Sequence, residues 1–346
     1  HGMNLAELNR PKFNLVRGLT HVNETDITAC GPPASPSDMK QHTLPGHEPT
    51  VEATLSPPSE APSGPGPGTS TYVIDAHSLI FQVFHAIAEM TSPRGEPVAA
   101  VYGFLRDVLF LLETHKPDFL IAAFDSGGPT FRHDLYEAYK GERKEMPSEL
   151  GTQIPKIHQV LDAMAIPILA LPGFEADDIL ATVARLCDEQ GGECRLVTGD
   201  KDCRQLITER VSVYNIRKNQ LYGSAELEVE WGIRPDQVVD FQALVGDKID
   251  NVPGVPLIGP KIATELLNTF GNLEAVLASA DMVKGAKRSQ NLREYADSAR
   301  LSRELVRLDP HVPVEVNWEA ARPGGYDTEE LSRLFAEFGF RGLWDR

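Results

Sequence analysis

The sequence predicts an α/β protein in which a three-layer, mostly parallel sheet is followed by a smaller helical domain. Between residues 71 and 232, short apolar runs alternate with amphipathic stretches, as in a parallel sheet covered by helices. From about residue 233 the strand patterns thin out and helical periodicity dominates. Before residue 71 the chain is rich in Pro, Ser and Gly, and it has too few large apolar residues to offset chain entropy. We therefore expect a disordered extension over 1–70, a core over 71–232 and a helical domain over 233–346.

Within the core the sequence predicts five strands, near residues 72–74, 119–124, 166–170, 194–198 and 211–214. Helices are predicted near 98–115, 149–164 and 177–190. The last helix is amphipathic and ends at Gly191-Gly192, a typical helix stop. Residues 127–148 mix polar, aromatic and basic side chains and are expected to leave the core as an excursion.

Composition narrows the class of protein. The chain of 346 residues, 41% hydrophobic and 24% charged, is long enough for two domains with cores. No apolar run approaches the length of a membrane span, so no membrane partner is expected. The net charge of −17 disfavours nucleic acid at first sight, although bound divalent cations would offset part of it. The cysteines lack the spacing of a zinc site or a disulfide framework; they are Cys30, Cys187, Cys194 and Cys203.

Acidic side chains follow four of the predicted strands. Ligands of parallel sheets bind beyond the carboxyl ends of the strands, so these carboxylates should collect at one edge. Two like charges about 5 Å apart repel by roughly 3 kcal/mol at an effective dielectric of about 20, so such an edge needs protons or cations. Hard divalent cations prefer oxygen ligands. The sequence therefore predicts a metal site formed by Asp75, Asp125, Glu175, Asp177, Asp178, Asp200 and Asp202.

A simpler explanation exists for most of these acids, because carboxylates stabilise helix starts and shape turns. It covers Glu175, Asp177, Asp178, Asp200, Asp202, Asp247 and Asp250. Asp75 and Asp125 directly follow apolar strands, where a capping role is less convincing. Acids from five separate segments suit two divalent cations about 4 Å apart, an arrangement that hydrolyses phosphodiesters without a nucleophilic side chain.

Positive charges are expected where phosphate binds. The excursion interleaves cations with aromatic rings, which suits phosphate contacts and stacking on unpaired bases. Its residues are Phe131, Arg132, His133, Tyr136, Tyr139, Lys140, Arg143 and Lys144, with no role assigned to His133. A solvated helix face is the alternative. Residues 252–267 are predicted to form two short helices about a tight turn, with Gly259-Pro260-Lys261 at a helix start that can bind a phosphate.

Together these motifs resemble the bacterial 5′-nuclease family, which comprises the 5′–3′ exonuclease domain of DNA polymerase I and the related flap endonucleases. The resemblance covers about residues 72–345 and ends with the chain, so neither a polymerase nor a proofreading domain is expected. It rests on Val73-Ile74-Asp75, Ser92-Pro93-Arg94-Gly95-Glu96-Pro97, Val101-Tyr102-Gly103-Phe104, Phe124-Asp125, Phe131-Arg132-His133, Tyr139-Lys140, Gly173-Phe174-Glu175-Ala176-Asp177-Asp178, Gly199-Asp200-Lys201-Asp202, Gly246-Asp247 and Asp250-Asn251.

The resemblance implies a PIN/resolvase-like core that binds two Mg²⁺ or Mn²⁺ ions. The first ion would be held mainly by Asp75, Asp125, Glu175, Asp177 and Asp178. The second would be held mainly by Asp200, Asp202, Asp247 and Asp250, with Asp177 between the two. Catalytic roles fall to Arg132, Lys140 and Asp177.

The resemblance also implies a basic arch over 127–148, in which Arg132, Lys140 and Arg143 bind DNA. The segment 252–267 resembles the family's helix–hairpin–helix, with Gly259 and Lys261 on the duplex backbone and a potassium ion as a further ligand. Leu257 stands where the family usually has the first glycine of the hairpin, which would keep the backbone further from a phosphate or an ion.

The resulting hypothesis is a structure-selective 5′-nuclease. Its substrates would be 5′ flaps, nicked or branched duplexes and RNA-primed ends in replication and repair. We expect a monomer of the bacterial cytoplasm, associated with the nucleoid and with a polymerase or another replication protein. Two alternatives remain: a branched-DNA scaffold with little turnover, and a ribonuclease of the PIN type. The helix–hairpin–helix disfavours the ribonuclease.

Overall fold

The computed structural model describes residues 64–143 and 145–342. A single six-stranded sheet in the order β3-β2-β1-β4-β5-β6 forms its centre. β1 to β5 are parallel, and β6 pairs antiparallel with β5 at one edge. The strands are β1 (Ser70–Asp75), β2 (Phe119–Ala123), β3 (Ile168–Leu169), β4 (Glu193–Val197), β5 (Val211–Asn215) and β6 (Gln220–Tyr222).

The helices alternate with the strands and then dominate the second half of the chain. Those of the core are α1 (Ala76–Ala86), α2 (Ala99–Phe110), α3 (Phe131–Leu135), α4 (Ser148–Gly151), α5 (Ile154–Ala163) and α6 (Ala176–Glu189). They are followed by α7 (Ser224–Trp231), α8 (Val238–Val245), α9 (Pro260–Phe270), α10 (Leu273–Ala278), α11 (Ala286–Glu294), α12 (Ala296–Val306) and α13 (Thr328–Phe338). In the described part of the chain, no helix combines the length and the apolar character needed to cross a bilayer.

The predicted three-layer arrangement is confirmed, because side chains of the five parallel strands are divided between two hydrophobic clusters, one on each face of the sheet. Ile74 of β1 packs with α1, α2 and α5 on one face of the sheet. Val73, its neighbour, packs with α6 on the other face. All five predicted strands are present, although the third is only two residues long. β6 and α1 were not predicted. α1 buries Leu79, Ile80 and Val83.

The helical domain differs from the prediction at both ends. Of the two short helices predicted over 252–267, only the second is present, as α9; the first was wrong, because residues 246–259 form a loop between the end of α8 at Val245 and the start of α9. Gly254 in this loop approaches Gly246 so closely that a Cβ would lie 2.5 Å from the Gly246 backbone nitrogen. The domain also ends earlier than residue 346, because α13 buries Leu334 and Phe338 in the core cluster that contains Ile74.

The predicted disordered extension over 1–70 falls mainly on residues 1–63, which lie outside the described residues. Its last part is ordered, in contrast to the prediction. The Thr69 hydroxyl and backbone N–H both donate to Gly66 O, at 2.7 and 2.9 Å. Pro65 and Pro67 pack against Gly191 and Gly192, the glycines that end α6. This segment lies at the amino ends of β1 and β4, on the edge opposite to the predicted metal site.

Candidate active site

Register brings the predicted acids together at the carboxyl edge of the sheet. Asp75 pairs with Ala123 of β2, Ala123 pairs with Leu169 of β3, and Ile74 pairs with Val197 of β4. The chain leaves each strand at the same edge as a result. A cavity of about 420 Å³ opens there. Five predicted metal ligands line it: Asp75, Asp125, Glu175, Asp177 and Asp200.

Asp75 and Asp125 both have the capping role that the sequence did not indicate. Asp75 is the N-cap of α1 and accepts a hydrogen bond from Ser78 N at 3.0 Å. Its second oxygen accepts the Thr198 hydroxyl at 2.7 Å. Asp125 Oδ1 accepts the Ala176 N–H at the start of α6, at 2.7 Å. These bonds aim both carboxylates into the cavity and hold the two helix starts beside it.

Burial is the main influence on the pKa values of the carboxylates at this edge, and their mutual repulsion adds to it. Burial, with smaller contributions from Asp125 and Asp200, raises the pKa of Asp75 to about 7 despite its two hydrogen bonds. Burial and repulsion from Asp200 raise the pKa of Asp202 to about 7. The pKa of Asp177 is also raised, first by burial and then by Asp75, Asp200 and Asp202. A cluster of this kind favours the uptake of protons or cations.

These pKa shifts predict how stability changes with pH. A carboxyl whose pKa rises on folding, here from 3.8 to about 7, stabilises the protein below pH 4 and loses that contribution as the pH rises to about 7. In EDTA at constant ionic strength, we expect the thermal unfolding midpoint to fall by several degrees between about pH 5 and pH 7.5. Asp75→Asn should flatten this slope. An unfolding midpoint that rises between pH 5 and pH 7.5 would contradict the raised pKa values of Asp75 and Asp202.

Three cationic side chains at the site form ion pairs with predicted metal ligands. Lys140 Nζ lies 2.6 Å from Glu175 Oε1, and Arg143 Nη2 lies 2.7 Å from Asp250 Oδ1. Lys201 Nζ lies 2.5 Å from Asp247 Oδ2. Burial acts to raise the pKa of Asp247, but the hydrogen bonds from Lys201 and from the Ile249 N–H lower it below its usual value. Lys140 adopts a left-handed backbone conformation, with φ of 55°, and its N–H donates to Asp250 O at 3.0 Å. These contacts hold the basic residues of the 127–148 segment against residues 247–251.

Arg132 and Asp178 do not lie in the cavity, in contrast to the prediction. Their side chains are 1% and 0% exposed and form a pair with two parallel hydrogen bonds of 2.7 and 2.8 Å. Arg132 also donates to the carbonyl oxygens of Leu305 and Arg307. Asp178 accepts the N–H groups of Glu175 and Asp309. The pair therefore joins α3, the start of α6 and the end of α12, and all three guanidinium nitrogens of Arg132 donate to acceptors within the protein. For Asp178 the simpler capping explanation holds.

The oxygen donors fit a hard divalent cation in kind. In the described residues, however, no group of three or more His, Cys, Asp or Glu side chains is arranged to hold a metal ion. Glu175, Asp247 and Asp250 form ion pairs with lysine or arginine side chains. Asp202 accepts a hydrogen bond from the Gln242 amide. The carboxylates share one edge of the sheet but do not by themselves form a closed ligand set.

The predicted phosphate site at the hairpin lies at the start of α9. Gly259 is the N-cap of this helix, and Lys261 is exposed in its first turn. Lys261 and Lys201 both line a cavity of about 540 Å³ between α7, α8 and α9. Leu257 is 61% exposed and has φ of +69°, a conformation that costs a residue other than glycine about 1–2 kcal/mol.

Several residues at the site were not found from the sequence. His77 and Ser78 line the cavity because α1 begins directly after Asp75. The only local signal was the apolar spacing of Leu79, Ile80 and Val83, which indicates a helix whose first turn faces the acids. Gln242 reaches Asp202 from another domain, and no local pattern indicates such a contact.

Comparison with known proteins agrees with this geometry. A model of the 5′–3′ exonuclease N-terminal, resolvase-like domain matches residues 70–232. A model of the 5′–3′ exonuclease C-terminal SAM fold matches residues 233–329. The matched stretches include every acid at the carboxyl edge.

The chain belongs to the 5′–3′ exonuclease family. Among curated members, DNA polymerase I of Bacillus subtilis (strain 168) is 36% identical over 278 residues, which cover 79% of this chain and 32% of that protein. The thermostable DNA polymerase I of Thermus thermophilus is 39% identical over 271 residues, covering 78% and 32%. The chain thus spans about a third of the length of these relatives.

Solved structures share the fold of this exonuclease-family chain. The 5′-exonuclease of bacteriophage T5 with bound zinc superposes with a TM-score of 0.60 at 22% identity, over 78% of this chain and 99% of that one. A variant of the T5 D15 flap endonuclease, solved as a pseudo-enzyme-product complex with DNA and metal ions, gives a TM-score of 0.60 at 20% identity over the same shares. The predicted core with its helical domain is therefore confirmed.

Proposed function

We propose that this chain hydrolyses DNA phosphodiesters near 5′ ends and at 5′ flaps with the help of divalent cations. The proposal rests on three carboxylates that lie close together at the carboxyl edge of an exonuclease-family fold. They are Asp75, Asp177 and Asp202, and each has a raised pKa. Flap trimming and primer removal in replication and repair, beside a polymerase, follow as the biological setting.

The carboxylates at this edge would hold the cations. When bound, two Mg²⁺ or Mn²⁺ ions supply an activated water and neutralise the charge of an in-line displacement. The donors are Asp75, Asp125, Glu175, Asp177, Asp200 and Asp202, with Asp247 and Asp250 at the margin. We leave Asp178 out of this proposed set because it is buried and paired with Arg132. To bind a metal ion, Glu175, Asp247 and Asp250 would have to release the lysine or arginine side chain with which each is paired.

Lys140 and Arg143 are the side chains best placed to bind substrate phosphate. Both line the cavity beside Asp75 and Asp177. Arg143 can hold a phosphate through two parallel hydrogen bonds, whereas Lys140 acts as a point charge. Lys261 at the start of α9 would bind the duplex backbone outside this cavity. Leu257 would keep the hairpin backbone further from the phosphate and would weaken the binding of a potassium ion.

The proposal is tested by digesting 5′-labelled flap, nicked and single-stranded DNA during a titration with Mg²⁺ or Mn²⁺. Short 5′ products that appear only with the metal, and are absent for an all-RNA substrate, are the expected result. Binding of the flap in Mg²⁺ without any shortening would instead identify a branched-DNA scaffold.

Lys140→Ala and Arg143→Ala should each weaken flap binding without selecting among sequences. Each removes one phosphate contact, so the slope of log affinity against log salt concentration should become shallower by about 1. Fluorescence anisotropy in Ca²⁺ at several salt concentrations measures this slope. Arg234→Ala, which removes an exposed arginine that pairs with Asp236 and does not line the cavity, is the matched control. Equal slopes for all variants would remove both residues from the binding surface.

A further inference from the structure

A buried thiol lies directly against one of the crowded carboxylates. Cys203 is fully buried, and its Sγ donates to Asp177 Oδ1 at a distance of 3.3 Å. A thiol is a weak donor, and a hydrogen bond to a carboxylate is the strongest type it makes. The thiol bond engages one oxygen of Asp177 and thereby limits rotation of the carboxylate.

The contact joins the two groups of acids at the site. Cys203 belongs to the short helical turn Asp202–Leu206, which follows directly after Asp200 and Lys201. Asp177 lies in the first turn of α6. The thiol therefore fixes the carboxylate of one segment to the turn that carries Asp200 and Asp202. Repulsion from these same acids would otherwise turn the Asp177 side chain away from them.

We propose that Cys203 is a positioning residue, which orients Asp177 through the thiol hydrogen bond so that its second oxygen faces the cation site. This inference rests on the proposed function, because it concerns the same site. Residues that orient a metal ligand by a hydrogen bond typically contribute about tenfold to a hundredfold in metal affinity. A weak thiol donor should lie at the lower end of that range.

The chain offers matched controls for this inference. Cys187 and Cys194 are also fully buried thiols in the core. They lie in α6 and β4, and each influences the other's pKa through a mutual hydrogen bond. Their hydrogen-bond partners are each other and, for Cys187, also Thr71, rather than an acid of the site. Replacing them removes the same atoms from the core and leaves Asp177 untouched, so any effect specific to Cys203→Ala does not come from packing alone.

The test compares Cys203→Ala, Cys203→Val and Cys203→Ser with Cys187→Ala. Calorimetric titration with Ca²⁺ or Mn²⁺ gives metal affinity without turnover, and flap cleavage at varied Mg²⁺ separates the metal concentration at half-maximal rate from the maximal rate. We expect the Ala and Val variants to bind metal about tenfold more weakly. Their maximal rate at saturating metal should change by less than about threefold. The Ser variant, which keeps a donor, should recover most of the affinity.

Unchanged metal affinity in both the Ala and Val variants would overturn the inference, as would an equal loss in Cys187→Ala. The Val variant fills the space of the thiol, so it decides the matter if the Ala variant does not fold. Failure of the proposed function gives a different result: the unmodified chain would then neither bind the cation nor shorten a flap.

Discussion

Replacing Asp177 by asparagine should reduce cleavage of a 5′ flap by on the order of 10²–10³-fold, the usual cost of removing one charge-stabilising group from a hydrolytic site. Burial raises the pKa of Asp177 most, and repulsion from Asp75, Asp200 and Asp202 raises it further. A neutral amide keeps the shape of the side chain but removes a charge that the cations require. Single-turnover cleavage at saturating Mg²⁺ measures the effect on the chemical step.

Stability separates this prediction from simple misfolding. Because Asp177 is repelled by its neighbours, Asp177→Asn should leave the free energy of unfolding in EDTA unchanged or raise it. Asp297→Asn, at a fully exposed position in α12, should change neither cleavage nor stability appreciably. Cleavage by Asp177→Asn at the unmodified rate would rule out a catalytic role for the crowded carboxylates.

Arg132→Ala should destabilise the fold by about 3–5 kcal/mol, the cost of leaving one partner of a buried ion pair alone. Asp178 is fully buried and would lose both hydrogen bonds from the guanidinium. Two carbonyl groups, of Leu305 and Arg307, would lose their donor at the same time. Urea unfolding followed by circular dichroism measures the change in the free energy of unfolding.

Two comparisons sharpen this experiment. Arg300→Ala breaks an exposed pair with Glu274 and should leave the free energy of unfolding nearly unchanged. Combining Arg132→Ala with Asp178→Ala should cost less than the sum of the single changes, because the double variant leaves no unpaired charge behind. If Arg132→Ala instead kept full stability and lost flap binding, Arg132 would belong to the DNA-binding surface as first predicted.

Local patterns in the sequence predicted most of the core correctly. Apolar runs bounded by turn residues located five strands, and the amphipathic spacing of residues 177–190 located α6 within one residue at each end. α1 was missed, since its start was interpreted only as the end of a strand and the capping role of Asp75 was not recognised. β6 was missed for another reason: three residues at a sheet edge produce too short a pattern.

The position of α13 shows a limit of a different kind. The helical spacing of Leu331, Leu334 and Phe338 does not say which apolar surface this helix covers. The structure packs Leu334 and Phe338 against the core cluster of β1 and α2, so the chain returns to its first domain after the helical one. Buried apolar area drives this choice, and that area exists only once the sheet has formed.

The sequence alone determined that acidic residues end four parallel strands, and strand direction then requires them to meet at one edge. That conclusion needs only the chemistry of the residues and the period of the strands. Tertiary structure decided which charges remain available: Arg132 and Asp178 satisfy each other inside the protein, whereas Lys140, Arg143 and Asp177 line the cavity. A charge on a side chain is a property of its residue, but its partner is chosen by contacts between segments that are distant along the chain, which no local pattern encodes.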